Sequence, residues 1–242
     1  MFTSKKKSDV IFTKYSTVSL VEASASDERV VRAAKVSTKG EAAEQMEVTD
    51  TERFISFLME GRHGSPFEHN LFTFLIDAPI FVWREFMRHR IGFSYNETSA
   101  RYKEMAPRFF VSPRERPLQQ VGKPGEYTFT SGTPKQYKEY EATAKRAAAA
   151  AWGEYQYLLE QGVAREVARQ VLPVNIMSQA YVTCNARSLM SFLSLRTTSD
   201  TAMFPSFPMW EIETVALQME MHLRYRMPAT HAAYETHGRV AP

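Results

Sequence analysis

The sequence contains a single cysteine, Cys184, among its 242 residues. One thiol excludes an intrachain disulfide and any zinc site built from cysteines, and it is typical of a reducing cytoplasm. No apolar run approaches the roughly 20 residues that a membrane-spanning helix needs. The apolar run near the start of the chain is too short for a secretory signal. These absences predict a soluble cytoplasmic protein.

Glycine-rich phosphate motifs are also absent from the sequence. Neither Gly-x-Gly-x-x-Gly nor a Walker sequence occurs, so any bound phosphate must be held by side chains. A net charge of +3 is too small to argue for a nucleic-acid partner. The 44% hydrophobic and 24% charged residues are ordinary for a globular protein, and the length suits one large domain or two small ones.

Polar and cationic side chains are concentrated between Arg84 and Tyr102. This stretch contains four arginines and one histidine, namely Arg84, Arg88, His89, Arg90 and Arg101. A guanidinium group binds phosphate through two parallel hydrogen bonds, and nearby hydroxyls and amides orient a ligand. A basic helix end would account for Arg-His-Arg alone. It would not account for the asparagine, glutamate and hydroxyls that follow, so the stretch predicts a site for an anionic ligand.

The same stretch resembles a family signature. Arg88-His89-Arg90, followed by Ser94-x-Asn96-Glu97-x-Ser99-x-Arg101-Tyr102, is similar to the signature of the flavin-dependent thymidylate synthases. The resemblance covers the chain from about Val48 to Arg226. Two departures are visible. Eight residues separate Arg90 from Ser99, one more than usual, with the extra residue around Gly92-Phe93, and Glu85 stands where the family commonly has glutamine. On the predicted helix, our hypothesis is that Glu85 pairs with Arg88 at the i, i+3 spacing.

The resemblance implies a function and a set of ligands. It implies an enzyme that methylates dUMP to dTMP, with methylenetetrahydrofolate as carbon donor and with FAD, reduced by NADPH, as electron carrier. It further implies a cytoplasmic homotetramer whose sites are shared between subunits. Its partner would be a small-molecule nucleotide, with no nucleic acid, membrane or metal.

The resemblance also assigns residues to each ligand. The positions that match FAD-binding residues are His63, Ser65, Glu68, Arg88, His89, Arg90, Asn96, Glu97, Asn185, Arg187 and Ser191. The positions that match dUMP-binding residues are Glu85, Arg88, Glu97, Ser99, Ala100, Arg101, Arg169 and Arg196. Arg196 carries the catalytic role, because a fixed positive charge beside the uracil ring stabilises the anionic pyrimidine and makes its carbon nucleophilic.

Two other functions remain open at this point. The first is an RNA-binding module that uses the basic loop 88–102, with Phe93, Tyr95 and Tyr102 as stacking partners. The second is a metallohydrolase built on His63, Glu68 and His69. Pro66 disfavours the second, because it interrupts the helix that would place these ligands on one face.

The periodicity of the chain predicts an α+β fold in one catalytic domain, residues 1–242. We expect a mixed central sheet, with antiparallel pairing, flanked by helices that are longest toward the C-terminal half. Helices are predicted at Asp27–Val36, Asp50–Glu60, Pro79–His89, Thr133–Gly162, Ala164–Pro173, Asn185–Arg196 and Pro208–Met227. In these helices we expect Ser26 to be an N-cap, Val167 to lie in an apolar stripe, and four side chains to face the core, namely Phe57, Leu189, Phe192 and Leu193. Strands are predicted at Asn70–Asp77, Phe109–Val111 and Asn175–Thr183, and a long surface loop at 114–132.

Overall fold

Helices and strands alternate irregularly along the chain in the computed structural model, which describes residues 9–123 and 127–242. The strands are β1 (Ile11–Thr13), β2 (Thr17–Ser24), β3 (Leu71–Pro79), β4 (Phe93–Glu97), β5 (Arg108–Phe110), β6 (Gln119–Val121), β7 (Thr128–Thr130) and β8 (Met177–Asn185). The α-helices are α1 (Asp27–Lys39), α2 (Thr51–Glu60), α3 (Ser65–Glu68), α4 (Ile80–Phe86), α5 (Pro134–Glu160), α6 (Arg165–Ala168), α7 (Ala186–Arg196), α8 (Trp210–Arg226) and α9 (Pro228–Thr236). The predicted α+β class is confirmed. Within the described ranges, no helix has the length and apolar character to cross a membrane.

The chain divides into two compact units. The first contains the described residues up to Ser16 together with Ala78–Trp83 and Thr98–Ser178. The second contains Thr17–Asp77, Arg84–Glu97 and Gln179–Pro242. That residues 1–242 act as one catalytic domain stays a prediction.

The core of the first unit lies under helix α5. Trp152 and Tyr155 of this helix pack with Phe109, and the phenol of Tyr155 accepts a hydrogen bond of 3.2 Å from the main-chain nitrogen of Met105. The helix begins as predicted, because Thr133 and Gln136 form a reciprocal capping box. Beside it, β1 and β5 form a parallel pair.

The predicted surface loop 114–132 contains regular structure. Strands β6 and β7 pair there as an antiparallel ribbon, which the prediction of a loop did not include. Most residues of both strands are exposed. Residues 124–126 of the predicted loop lie outside the described residues.

The second unit contains a four-stranded sheet in the order β2-β3-β8-β4. Strand β2 is antiparallel to β3, and β4 is antiparallel to β8, with Phe93 opposite Cys184 and Glu97 opposite Ala180. Every second residue of β3 from Phe72 to Ile76 is fully buried, as expected for a strand with one face on a core. Helices α7 and α8 pack together in the same unit.

Several boundaries differ from the predictions. Helix α4 ends at Phe86 and not at His89, and strand β4, which was not predicted, begins at Phe93.

Phe57 was expected to face inward from α2, but its side chain is exposed because Ile55, Leu58 and Met59 form the buried face. Val167 was placed in an apolar stripe, but it is also exposed, on a helix of only four residues.

Helix α9 was not predicted from the sequence, and its N-terminus is held by a residue far away in the chain. The carboxylate of Asp27 accepts hydrogen bonds from the main-chain nitrogens of Ala229 (2.8 Å) and Thr230 (2.9 Å), and from the hydroxyl of Thr230 (2.6 Å). These N–H groups have no partner inside their own helix, so a buried carboxylate stabilises the helix start.

We expect Asp27→Ala to lower the free energy of unfolding by about 2 kcal/mol, because it leaves the donors at the start of α9 without their acceptor. Chemical denaturation of the variant and the parent measures this difference. The matched control is Asp200→Ala, which removes an exposed carboxylate and should leave the free energy of unfolding unchanged. Equal stability of the Asp27 variant and the control would contradict this role.

Candidate active site

The Arg-His-Arg stretch lies in a turn that aromatic side chains hold in place. The hydroxyl of Tyr95 lies 3.0 Å from the main-chain oxygen of Phe86 and 2.7 Å from that of His89, and it donates to these carbonyls. The ring of Phe192 in α7 packs on Phe86 at 4.6 Å and on His89 at 4.8 Å. These contacts fix the main chain on both sides of Arg88, so the turn is rigid where the signature begins.

His89 accepts a hydrogen bond from Arg196. The Nε of Arg196 donates to Nε2 of His89 over 3.0 Å, so the imidazole is neutral and carries its proton on Nδ1. Burial, with the positive charge of Arg196 as the second cause, lowers the pKa of His89 to about 4. The ring therefore stays an acceptor for Arg196 throughout the neutral pH range.

Arg196 is bound on its other side by Glu85. Its Nη1 lies 2.8 Å from Oε2 of the Glu85 carboxylate. The hypothesis that Glu85 pairs with Arg88 is therefore wrong for the side chains. The reason is the early end of α4, because Arg88 follows the helix and only its main-chain nitrogen bonds to the carbonyl of Glu85. Glu85 and His89 together fix the guanidinium of Arg196 in one orientation.

A cavity of about 970 Å³ opens beside this turn in the same unit. Seven of the eleven residues predicted for FAD line it: Glu68, Arg88, His89, Arg90, Asn185, Arg187 and Ser191. Sequence reasoning missed the other lining residues, which are Ile91, Gly92, Phe93, Ser188, Ala241 and Pro242. No sequence signal identifies Ala241 and Pro242, whereas Gly92 and Phe93 were visible as the lengthened part of the signature loop.

The start of helix α7 forms one wall of the cavity. Asn185 caps the helix, and its side-chain oxygen accepts a hydrogen bond of 2.8 Å from the main-chain nitrogen of Ser188. Arg187 in the first turn forms an ion pair of 2.6 Å with Glu68. A helix N-terminus and several guanidinium groups favour phosphate oxygens. The volume and this donor set fit a phosphorylated cofactor of the size of FAD.

Four of the residues predicted for FAD do not line this cavity. They are His63, Ser65, Asn96 and Glu97. The ring of His63 lies 5.8 Å from that of Phe57, and Ser65 is the first residue of α3. Asn96 and Glu97 are the last two residues of β4. Their assignment to the flavin stays a prediction.

The residues predicted for dUMP are distributed over both units. Ser99, Ala100, Arg101 and Arg169 belong to the first unit, whereas Glu85, Arg88, Glu97 and Arg196 belong to the second. In the first unit, the Ser99 hydroxyl accepts a hydrogen bond of 3.2 Å from the nitrogen of Arg101. The Nε of Arg101 lies 2.7 Å from a carboxylate oxygen of Glu166 in an exposed ion pair. The set is therefore not brought together within either unit.

The three residues of the metallohydrolase alternative do not form a cluster. Among the described residues, the group whose ligand atoms all lie within 4.8 Å of one another is Glu220, His231 and Glu235, not His63, Glu68 and His69. The guanidinium of Arg239 donates to the carboxylates of Glu220 and Glu235. A guanidinium already pairs with both carboxylates, so the group is a structural ion-pair network.

Gly92 explains how the lengthened signature loop is accommodated. It has a left-handed φ of 68°, and a Cβ atom there would overlap the hydroxyl of Ser188 and lie 2.8 Å from Nδ2 of Asn185. The loop therefore passes directly over the start of α7, and only glycine permits this approach.

We expect Gly92→Ala to displace the loop from α7 and to lower the free energy of unfolding by about 1–3 kcal/mol, since alanine is strained at this φ and meets two side chains. Chemical denaturation measures the effect. Gly153→Ala in α5 is the matched control, because its Cβ would meet no atom within 4 Å. A Gly92 variant as stable as the parent would show that the approach is not tight.

Comparisons with known proteins identify the family of the chain. A family model described as "Thymidylate synthase complementing protein" matches residues 19–229. The flavin-dependent thymidylate synthase of Streptomyces coelicolor is 52% identical over 229 residues, which cover 93% of each protein. That of Tropheryma whipplei is 50% identical over 236 residues, which cover 97% of this chain and 98% of the relative.

Solved structures give the same result. A UMP/dUMP methylase, PolB from Streptomyces cacaoi, bound with 5-Br UMP, is 49% identical and superposes with a TM-score of 0.90 over 97% of this chain and 100% of its own. The same protein bound with 5-Br dUMP gives a TM-score of 0.91 over 96% of this chain. On the extent of these matches, and with the Arg-His-Arg signature seated at the cavity, the chain belongs to the family of flavin-dependent thymidylate synthases.

Proposed function

We propose that this enzyme methylates dUMP to dTMP, using methylenetetrahydrofolate as the carbon donor and FAD, reduced by NADPH, as the electron carrier. The observation that carries the proposal is the orientation of Arg196 between the carboxylate of Glu85 and the neutral ring of His89. This places a held positive charge in the unit that contains a cavity rich in phosphate-binding donors. The names of the relatives and of PolB support the substrate class.

The cavity residues divide the work of holding FAD. Arg88, Arg90 and Arg187 would bind its phosphates, and Asn185 and Ser191 would supply neutral hydrogen-bonding groups. When bound, the flavin supplies the electrons that reduce the transferred carbon to a methyl group. Arg187 keeps its ion pair with Glu68, which limits the rotamers open to its side chain.

Arg196 acts on the pyrimidine by electrostatics. Its side chain is largely buried, so its charge is less screened by water than a surface charge would be. Negative charge that develops on the uracil ring is stabilised by this guanidinium, and the ring carbon becomes nucleophilic. The bonds to Glu85 and His89 hold the group in place before the reaction, so little reorganisation is needed in the transition state.

The RNA-binding alternative loses its stacking platform. Phe93 and Tyr95 are half-buried, and their rings pack against Phe86 at 6.3 and 5.9 Å. The hydroxyl of Tyr95 is also used inside the turn. Of the three aromatic residues, Tyr102 alone is strongly exposed, and a single ring does not make a platform for successive bases.

A homotetramer in the cytoplasm, with active sites shared between subunits, is part of the same proposal. Helix α5 supports it, since more than half of its residues are exposed. Several of these exposed residues are alanines, which permit close approach of another helix. A reduced single thiol is consistent with that compartment.

The direct test of the function combines colour and turnover. We expect the purified protein to be yellow with flavin absorbance and to form dTMP when dUMP, methylenetetrahydrofolate and NADPH are all supplied. Omission of any one of the three should stop dTMP formation. A colourless protein that makes no dTMP after addition of FAD would overturn the proposal.

We expect Arg196→Ala to retain its flavin but to reduce kcat for dTMP formation by about 100-fold, because the charge is needed chiefly while the ring is anionic. Flavin content and dTMP formation are measured on the same sample. Arg224→Ala, an exposed arginine of α8, is the matched control. Unchanged turnover in the Arg196 variant would remove this residue from the mechanism.

The thiol gives a further prediction, because the other class of thymidylate synthase attacks the pyrimidine with a cysteine. Cys184 is fully buried in β8, and burial raises the pKa of its thiol, so the nucleophilic thiolate is disfavoured. We expect Cys184→Ala to keep most of its dTMP-forming activity and to lose at most about 1 kcal/mol of stability. A variant that folds and binds flavin but makes no dTMP would place Cys184 at the centre of the mechanism.

A further inference from the structure

The last residues of the chain, 239–242, are anchored by a buried arginine. The guanidinium of Arg239 donates to both carboxylate oxygens of Glu220, at 2.7 and 3.0 Å, and to the hydroxyl of Thr197 at 2.7 Å. Burial opposes the charge of Glu220, but hydrogen bonds from His231 and Arg239 outweigh it and lower the pKa of Glu220 to about 2. The anchor is thus charged and paired at any neutral pH.

The anchor is attached to helix α7 from behind the site. The hydroxyl of Ser194 donates to the main-chain oxygen of Arg239, and Thr197, which accepts from the Arg239 side chain, directly follows Arg196. Arg239 also has a left-handed φ of 54°, which turns the chain immediately after α9. One end of the 239–242 segment is therefore fixed next to the catalytic end of α7.

The other end of the segment reaches the cavity. Ala241 and Pro242 line it, and the Nε of Arg187 donates to the main-chain oxygen of Pro242. Arg62 lies outside the cavity lining and donates from Nη1 to the oxygens of Val240 (3.0 Å) and Ala241 (3.2 Å). The segment consequently follows α7 from its last turn to its first.

Gly64 shows that this end is closely packed. A Cβ atom at this position would lie 2.6 Å from Nε of Arg187 and 2.7 Å from the main-chain oxygen of Pro242. The hydrogen bond between Arg187 and Pro242 thus lies directly against the main chain of residue 64, so neither group can move toward that side. Arg187 is held by Pro242 on one side and by Glu68 on the other.

We propose that the 239–242 segment is a positioning element of the flavin cavity, in which Arg62 fixes the main chain of the segment and Pro242 orients Arg187 toward the cofactor's phosphates. This inference rests on the proposed function, because it assigns the cavity to FAD. Arg62 touches the segment and not the cavity, so it is a positioning residue. Substitution of Arg62 leaves the guanidinium of Arg187 in place but removes the contacts that fix the segment and, through it, hold that guanidinium toward the cofactor's phosphates.

The test measures FAD affinity in the full-length apoprotein. We expect Arg62→Ala to raise the dissociation constant for FAD by about tenfold, the order expected when charged hydrogen bonds that organise a site are lost. Removal of residues 240–242 should weaken FAD binding at least as much, because it deletes the main-chain oxygen that orients Arg187. The shortened chain keeps Arg239 and its buried hydrogen bonds, so its fold should be preserved. Arg62→Lys, which can still donate to the two carbonyls, should restore part of the affinity.

The controls separate positioning from folding. Arg53→Ala, an exposed arginine of the helix that precedes Arg62, should bind FAD like the parent. Supporting the inference requires weaker FAD binding while the thermal midpoint of the apoprotein stays within a few degrees of the parent's. If both the Arg62 variant and the shortened chain bind FAD within twofold of the parent, the positioning role is overturned. A parent that binds no FAD overturns the proposed function itself.

Discussion

The site depends on the burial of one face of helix α7. Leu189, Phe192 and Leu193 are fully buried, so the helix can take only one rotation about its axis. This rotation decides where the side chains at its two ends begin: Asn185 and Arg187 lie at the cavity, and Arg196 meets Glu85 and His89. Hydrophobic packing, which has no chemical role in the reaction, thus sets the main-chain position from which each charged side chain of this helix extends to its partners.

Charge at the site is balanced in pairs before any ligand arrives. Glu68 compensates Arg187, and Glu85 compensates Arg196, while His89 stays neutral because it is buried beside a cation. Arg88 and Arg90 line the cavity and are exposed. Guanidinium groups that are paired with carboxylates keep their orientation, whereas exposed ones can follow the ligand. The arrangement therefore combines fixed and adaptable cations around one cavity.

Sequence reasoning recovered the parts of the fold that local periodicity controls. The buried face of α7 followed from the spacing of Leu189, Phe192 and Leu193, and the capping residues Ser26 and Thr133 marked two helix starts correctly. The signature identified the family, and three of its residues, Arg88, His89 and Arg90, line the cavity. These features are encoded within one or two turns of the chain.

The features that local sequence patterns did not predict all depend on contacts between distant parts of the sequence. Strand β4 was missed because its partner, β8, lies almost ninety residues later and supplies the hydrogen bonds that make it a strand. The partner of Glu85 was wrong because Arg196 is 111 residues away, whereas Arg88 is three. Nothing near Pro242 indicates a cavity wall, since its role comes from Arg187 and from the main chain around Gly64. Local patterns carry no information on such pairs.

The carboxylate of Asp27 at the start of α9 also has a consequence for how the chain reaches its folded state. Asp27 and Thr230 are separated by 203 positions in the sequence. The carboxylate of the early helix α1 therefore has no hydrogen-bond donors from α9 until the late part of the chain has folded. Closing such a long loop costs entropy that no local contact repays, and topologies rich in such contacts fold slowly. During synthesis, α1 emerges long before residue 230, so the carboxylate of Asp27 stays exposed to water until the start of α9 is available. The second unit, which carries the cavity, therefore completes its fold only when nearly the whole chain is available.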